Sequence, residues 1–144
     1  MAEPKTFHRP HRVRFAECDP AGIAFYPRYF EMIHNVAEDF YEKIGFDYHY
    51  LHMELGKGLP TVHIEADFHV PSRLGDLLDF TLIVTKIGRS STSVEIKALC
   101  KDEVRLVVKI KIVFIDLKTM KSEELLAPLR AKLTEYLHEN LSKH

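Results

Sequence analysis

Between Glu17 and Pro27 the chain reads Glu-Cys-Asp-Pro-Ala-Gly-Ile-Ala-Phe-Tyr-Pro, and here its residue types are best suited to chemistry. Asp19 stands in a turn-forming run, Cys18 to Gly22, shortly before a stretch with helical spacing. A carboxylate there lies close to a helix N-terminus, where free backbone N–H groups and the helix dipole favour negative charge developing on a nearby oxygen. Carboxylate and donors together suit attack on a carbonyl, the carboxylate acting as nucleophile or general base. Gly22 permits close backbone approach and Pro20 stiffens the turn. The same residues also describe an ordinary polar turn that happens to carry an acid.

Other candidates carry less. Cys18 adjoins Asp19, but no histidine is placed beside it by the sequence, so cysteine catalysis ranks well below. His63, Glu65, Asp67 and His69 share one face of a two-residue period. Any half-solvated strand produces such a row, whereas transition-metal ligands converge from several elements, so no metal is expected. His34 lies on the helical stripe of Phe30, Ala37 and Tyr41, either reading a polar group in a pocket or hydrogen-bonded at a helix–sheet boundary. His8 and His11 read as a flexible terminus, and the Lys/Glu-rich face of the last helix as solvated surface.

The elements that must position these residues follow from periodicity. His11 to Phe15 alternates and predicts a first strand, which Cys18–Gly22 breaks. From Pro27 to about Ile44, apolar residues at Phe30, Ile33, Ala37, Phe40, Tyr41 and Ile44 predict a long helix, with Pro27 its first residue and Gly45 its stop. The period then becomes two: Val62 to Val70, with one face in a core, followed by Phe80–Ile87, Ser93–Cys100 and Val104–Leu117. A final helix is predicted around Pro128 to Leu141. The connections are short, which implies mostly antiparallel neighbours. The prediction is one α+β domain spanning residues 1–144, a five-stranded, largely antiparallel sheet with the long helix on its concave face and a C-terminal helix. Such a sheet leaves edges and apolar surface that commonly find a second subunit.

Composition excludes several classes. A chain of 144 residues suits one domain, which buries roughly 70% of its unfolded surface without metal or disulfide. The 46% hydrophobic content argues against disorder. A formal charge of −1 gives no sign of nucleic-acid or anionic-membrane binding. Cys18 and Cys100 form no CxxC pair, which fits a reducing compartment. The N-terminal residues contain no apolar stretch, so neither signal peptide nor membrane span is expected and a cytoplasmic location is.

The run Ala16–Ile23, with Phe25-Tyr26-Pro27 and Tyr29, resembles the signature of the 4-hydroxybenzoyl-CoA thioesterase family. The following helix, Gly58-Leu59-Pro60 and Gly75-Asp76 fit it too, so the resemblance runs from about Arg12 to Phe114. It implies a hotdog fold and hydrolysis of an acyl-CoA thioester, aryl or short- to medium-chain, to free acid and CoA. No cofactor is implied beyond the coenzyme A that is part of the substrate. Asp19 would attack the carbonyl or activate water, and the backbone N–H of Tyr26 would polarise the thioester oxygen. Gly22, Phe25 and His34 would bind substrate, His34 standing where some members place an acid. Coenzyme A phosphates would meet Lys86, Arg89, Ser90 and Ser91, a turn with fewer cations than some relatives carry, with Arg73 contributing. The family also implies a homo-oligomer, an edge-to-edge dimer or a dimer of dimers, with active sites at subunit interfaces. Two rivals share the pocket. A hotdog hydratase or dehydratase needs a catalytic histidine and acid in a different motif, for which no matching segment is present; a non-catalytic acyl-CoA binding module differs in the role of Asp19.

Overall fold

The computed structural model describes residues 3–139. In chain order it contains β1 (Phe7–Arg12), α1 (Tyr26–Lys43), β2 (Lys57–Gly58), β3 (Thr61–Phe68), β4 (Leu77–Ile87), β5 (Ser91–Cys100), β6 (Glu103–Val113), β7 (Ile115–Asp116) and α2 (Ala127–Thr134). A 3-10 turn occupies Phe15–Glu17 and a π-helical turn Tyr50–Leu55. The long strands form one five-stranded antiparallel sheet in the order β1-β4-β5-β6-β3, and β2 pairs with β7. This is the α+β architecture expected of a hotdog fold.

Helix α1 buries Tyr29, Met32, Ile33, Val36, Ala37, Phe40 and Tyr41, positions three and four apart that make one continuous face. The sheet meets that face with the alternate residues Phe80, Leu82 and Val84 of β4, Ile96 and Ala98 of β5, and Leu106 and Val108 of β6, all inaccessible to solvent. Phe40 is the hub: its ring packs against Phe7 (5.7 Å), Tyr41 (5.5 Å) and Tyr136 (5.0 Å), near edge-on in each case. The helix starts at Tyr26, with Pro27 second, and stops where Gly45 adopts a positive φ and donates to the Glu42 carbonyl.

Four features depart from expectation. The first strand is Phe7–Arg12, not His11–Phe15, and His8 and His11 belong to it rather than to a flexible terminus. As the edge strand it tolerates Pro10. Strand β3 is the opposite edge, and its apolar residues are uncovered: Val62 is 56%, Ile64 43% and Phe68 48% exposed. The last helix ends at Thr134, after which Tyr136–His138 run beside β4, Val84 bonding to Tyr136 and His138 beyond the reach of β1; Leu141 lies outside the described residues. Finally, β3 and β4 are not neighbours. Residues 69–76 cross the end of the sheet over three strand spacings, roughly 14 Å, to join them.

Truncating the hub tests this packing. Phe40→Ala is expected to cost about 3–5 kcal/mol, through lost burial and the cavity left among its aromatic neighbours. Urea denaturation of both proteins measures it, and a loss below about 1 kcal/mol would mean the core does not close on this ring.

Candidate active site

Asp19 opens a closed turn. Its N–H bonds to the Ile23 carbonyl at 2.9 Å, its carbonyl accepts Gly22 N–H at 2.9 Å, and Cys18 faces Ala24 in an antiparallel bridge. Gly22 adopts φ +79°, a left-handed conformation that strains any residue with a Cβ. The Asp19 side chain folds back so that Oδ1 accepts Ala21 N–H at 2.8 Å. The other carboxylate oxygen has no hydrogen-bond partner among the described residues. On the return side, Phe25 N–H bonds to Glu17 O at 2.8 Å and Arg28 N–H to Phe25 O at 2.8 Å. Pro27 has no N–H. The backbone N–H of Tyr26 therefore stands at the start of α1 without an acceptor among the described residues, as first-turn donors do.

The crossover 69–76 fastens this turn. Ala24 N–H bonds to Ser72 O at 2.8 Å, Leu74 N–H to Gly22 O at 3.0 Å, and Ile23 bridges Arg73. Arg73 is thus brought to the Asp19 turn. The crossover is itself held by Arg105 of β6, whose guanidinium reaches Asp76 at 2.9 Å, Ser72 Oγ at 3.2 Å and Pro71 O at 3.3 Å. Ser72 is buried and donates its N–H to Tyr29 Oη at 3.3 Å. The Arg73 N–H and the Arg105 guanidinium hold the Asp76 carboxyl below the usual carboxylate range.

Two hollows run along the open flank of α1. One, of about 190 Å³ beside the turn, is lined by Ala24, Tyr26, Tyr29 and Phe68. The second, of about 360 Å³, is lined by Phe30, His34, Tyr48, Leu59 and Ile64 among others. Phe68 lines the first and Phe30 the second, and these two rings stand edge to face at 6.4 Å. His34 lies about two helical turns from Tyr26, bonded to Glu38 at 3.1 Å, with the Tyr48 ring at 5.8 Å. Burial, helped by the Glu38 carboxylate, pushes the Tyr48 phenol up to about 12, so it remains a donor at neutral pH.

The structure brings together Asp19, Gly22, Phe25, Tyr26 and Arg73, and sets His34 further along the same groove. It does not bring Lys86, Arg89, Ser90 and Ser91 to them within one chain. Those residues occupy the β4–β5 turn and the strand ends beside it, whereas the Asp19 turn abuts the other end of β4, a strand length of roughly 30 Å away. His63 pairs with Glu65 at 3.0 Å, and no three metal-binding side chains converge among the described residues. Cys18 donates weakly to Arg14 O, and partial burial together with the Asp19 and Glu17 carboxylates raises its thiol pKa, which disfavours a thiolate nucleophile. Sequence reasoning missed Tyr48, Ser72 and Arg105 and gave Asp76 no role beyond the Gly75-Asp76 pattern; the sheet topology joins Ser72, Asp76 and Arg105, and the segment after α1 returns Tyr48 to His34. It also missed His11, whose Nε2 meets both carboxylate oxygens of Glu17 at 2.9 Å; the six-residue spacing alone carried no signal.

Residues 13–134 match the model of the thioesterase-like superfamily. A 1,4-dihydroxy-2-naphthoyl-CoA hydrolase of Prochlorococcus marinus (strain NATL2A) is 31% identical over 137 residues, 90% of this chain and 86% of the relative. Other curated relatives of that name match over 57% and 62% of their own length. Among solved structures, a 1,4-dihydroxy-2-naphthoyl-CoA thioesterase from Synechocystis superposes with a TM-score of 0.82 at 22% identity, over 90% of this chain and 96% of that one. A Staphylococcus aureus protein in complex with CoA superposes with a TM-score of 0.88 at 14% identity, over 94% and 86%. At these identities the superpositions speak to the fold.

Asp76 supplies a pH test of the fastening. Its folded pKa is depressed, so its contribution is complete above the unfolded carboxylate value and is lost as pH falls through the folded one. Wild type should exceed Asp76→Asn in stability at pH 7, and the gap should close below about pH 4 in urea denaturation. A gap unchanged at pH 3 would show that the charge contributes nothing.

Proposed function

The chain belongs to the thioesterase-like superfamily, and we propose that it hydrolyses an acyl-CoA thioester to free acid and CoA with Asp19 as its catalytic carboxylate. The observation that carries this reading is that a closed turn, whose Asp19 carboxylate has one oxygen tied to Ala21 N–H, leads directly into a helix whose first N–H, that of Tyr26, is left without an acceptor among the described residues. A thioester carbonyl oxygen directed at that N–H becomes more electrophilic at carbon and gains a donor for the charge that develops in the transition state. The free oxygen of Asp19 then either attacks the carbonyl carbon or takes a proton from an attacking water. Attack expels the CoA thiolate and leaves an acyl-aspartyl anhydride, which water hydrolyses to the acid and restores the carboxylate. Neither route calls for a cofactor beyond the coenzyme A carried by the substrate.

The groove favours an aryl acyl group with a polar substituent, within the breadth of the 4-hydroxybenzoyl-CoA thioesterase family. Its walls are mostly aromatic and aliphatic, and its distal polar groups are His34, Thr61 and the protonated Tyr48. The dihydroxynaphthoyl-CoA hydrolases that this chain resembles are named for such a substrate. Coenzyme A phosphates are assigned to Lys86, Arg89, Ser90 and Ser91 of a second copy, with Arg73 as a cation beside the turn. Pairing two β3 edges antiparallel would set Thr61 of one copy near Phe68 of the other. The β4–β5 turn, which lies at the Thr61 end of the sheet, would then approach the other copy's Asp19. The uncovered Val62, Ile64 and Phe68 supply apolar surface for such a dimer or dimer of dimers. No helix among the described residues is long and apolar enough to cross a membrane.

Thiol release from a panel of aryl-, short- and medium-chain acyl-CoAs tests the reaction. Hydroxyaryl-CoA should be the best class, and Asp19→Asn should lower turnover on the order of 10²–10⁴-fold while leaving CoA binding unchanged. Full turnover in that variant would remove Asp19 from the chemistry, and bound acyl-CoA without release from any substrate would favour the binding-module reading. Light scattering should find a dimer or larger; an active monomer at assay concentration would overturn the shared site.

A further inference from the structure

Glu17 is tied to three parts of the chain at once. Its carboxylate oxygens meet His11 Nε2 of β1, both at 2.9 Å, and Oε1 also accepts the Arg14 N–H at 2.7 Å. Its carbonyl accepts the Phe25 N–H at 2.8 Å, immediately before Tyr26. The imidazole and carboxylate are only 17% and 21% exposed, and the ring packs edge-on against Phe80 at 6.3 Å. Phe80 is inaccessible to solvent, so the clamp is anchored on the core. Next along the same face of β1, Arg9 is engaged by Asp39 of α1, which leaves His11 as the partner of Glu17.

A polar pair this covered is a weak source of stability, since apolar side chains of similar volume often serve as well. Its effect is on geometry. The turn from Cys18 to Ala24 leaves from Glu17 and returns to Phe25, and those two residues are bonded to each other. Where Glu17 is held therefore sets where Asp19 departs and where Tyr26 arrives. Strand β1, locked to β4 from Phe7 to Arg12, provides the fixed point. For Nε2 to donate to the carboxylate, the imidazole carries its proton there, and the ring orientation is fixed by Phe80.

We propose that His11 and Glu17 are positioning residues for thioester hydrolysis, clamping the catalytic turn to β1 so that the Asp19 carboxylate and the Tyr26 N–H keep their working separation. This rests on the reaction proposed above. A misplacement of about an ångström between reacting groups costs on the order of 10²-fold in rate. The consequence falls mainly on kcat, because the part of the groove around His34 and the β4–β5 turn assigned to the coenzyme lie away from the clamp.

Steady-state kinetics of His11→Leu, Glu17→Ala, the double variant and His11→Gln, each with a thermal melt, test the clamp. His11→Leu keeps an apolar body against Phe80 and is expected to fold. Each single variant should lose roughly 10–100-fold in kcat with KM changed by less than about threefold. The double variant should be no slower than the worse single, as two halves of one device require. His11→Gln retains a donor and should recover most of kcat, whatever its melting temperature. Losses that multiply in the double variant, unchanged kcat in either single, or a His11→Gln variant as slow as His11→Leu would each overturn the proposal. Failure of the underlying reaction reads differently: wild-type protein would then release no thiol at all, or Asp19→Asn would release it undiminished.

Discussion

The end of the molecule that carries Asp19 depends on the path that the chain takes from β3 to β4. These strands lie at different places in the sheet, so residues 69–76 have to cross its end. A crossing backbone has donors and acceptors that neither strand can satisfy, and buried ones are costly to leave unpaired. They find partners in the turn between the first strand and the long helix: Ser72 O takes Ala24 N–H, Leu74 N–H goes to Gly22 O, and Gly75 N–H to Val13 O. The crossover and the Asp19 turn thereby complete each other's hydrogen bonding. Arg105 reinforces the arrangement from β6, binding Pro71 O, Ser72 Oγ and Asp76 together. A remote strand thus restrains backbone that touches the Asp19 turn.

Burial of α1 supplies the other half of the geometry. One face of the helix is committed to the sheet through Val36, Phe40 and their neighbours, and rotation about its axis would expose them. That commitment fixes the opposite flank as well, leaving Phe30 and His34 beside the groove toward β3. The first turn is fixed with it. Pro27 cannot donate, Phe25 N–H is taken by Glu17, and Tyr26 N–H is left over. A donor in this position arises from helix entry itself and requires no dedicated side chain.

Much of this was legible in the sequence wherever the signal is local. The apolar spacing of α1, the stop at Gly45 and the alternation of β4, β5 and β6 are properties of short windows and held to within a few residues. The Asp19 turn was legible because Asp19, Gly22, Phe25 and Tyr26 are nearly contiguous. The bounds of strand β1 are not legible, because its inward-facing positions include Arg9 and His11, whose partners Asp39 and Glu17 are invisible to a periodicity argument. Alternation in β3 was seen, yet alternation does not reveal whether a strand is central or at an edge. Nor could it show that its apolar side lacks cover within one chain. Tyr136 and Leu137 continue an apolar spacing begun in α2, but the open edge of β4 captured them as extended backbone.

The uncovered β3 edge and the distance of Lys86 and Arg89 from Asp19 would both be answered by the dimer proposed above. A single copy holds carboxylate, backbone donor and groove at one end of the sheet, and Lys86 and Arg89 at the other. Val62, Ile64 and Phe68 of β3 remain about half exposed, and an open strand edge is a template to which a further strand can add. The antiparallel second copy proposed above would answer both with one interface. It would cover the apolar residues, extend the sheet, and reverse the second chain so that each distal turn approached the other's Asp19 turn. Stability of the assembly and grip on the coenzyme would then draw on the same contacts, and substrate bound across two copies would stabilise the dimer by linkage.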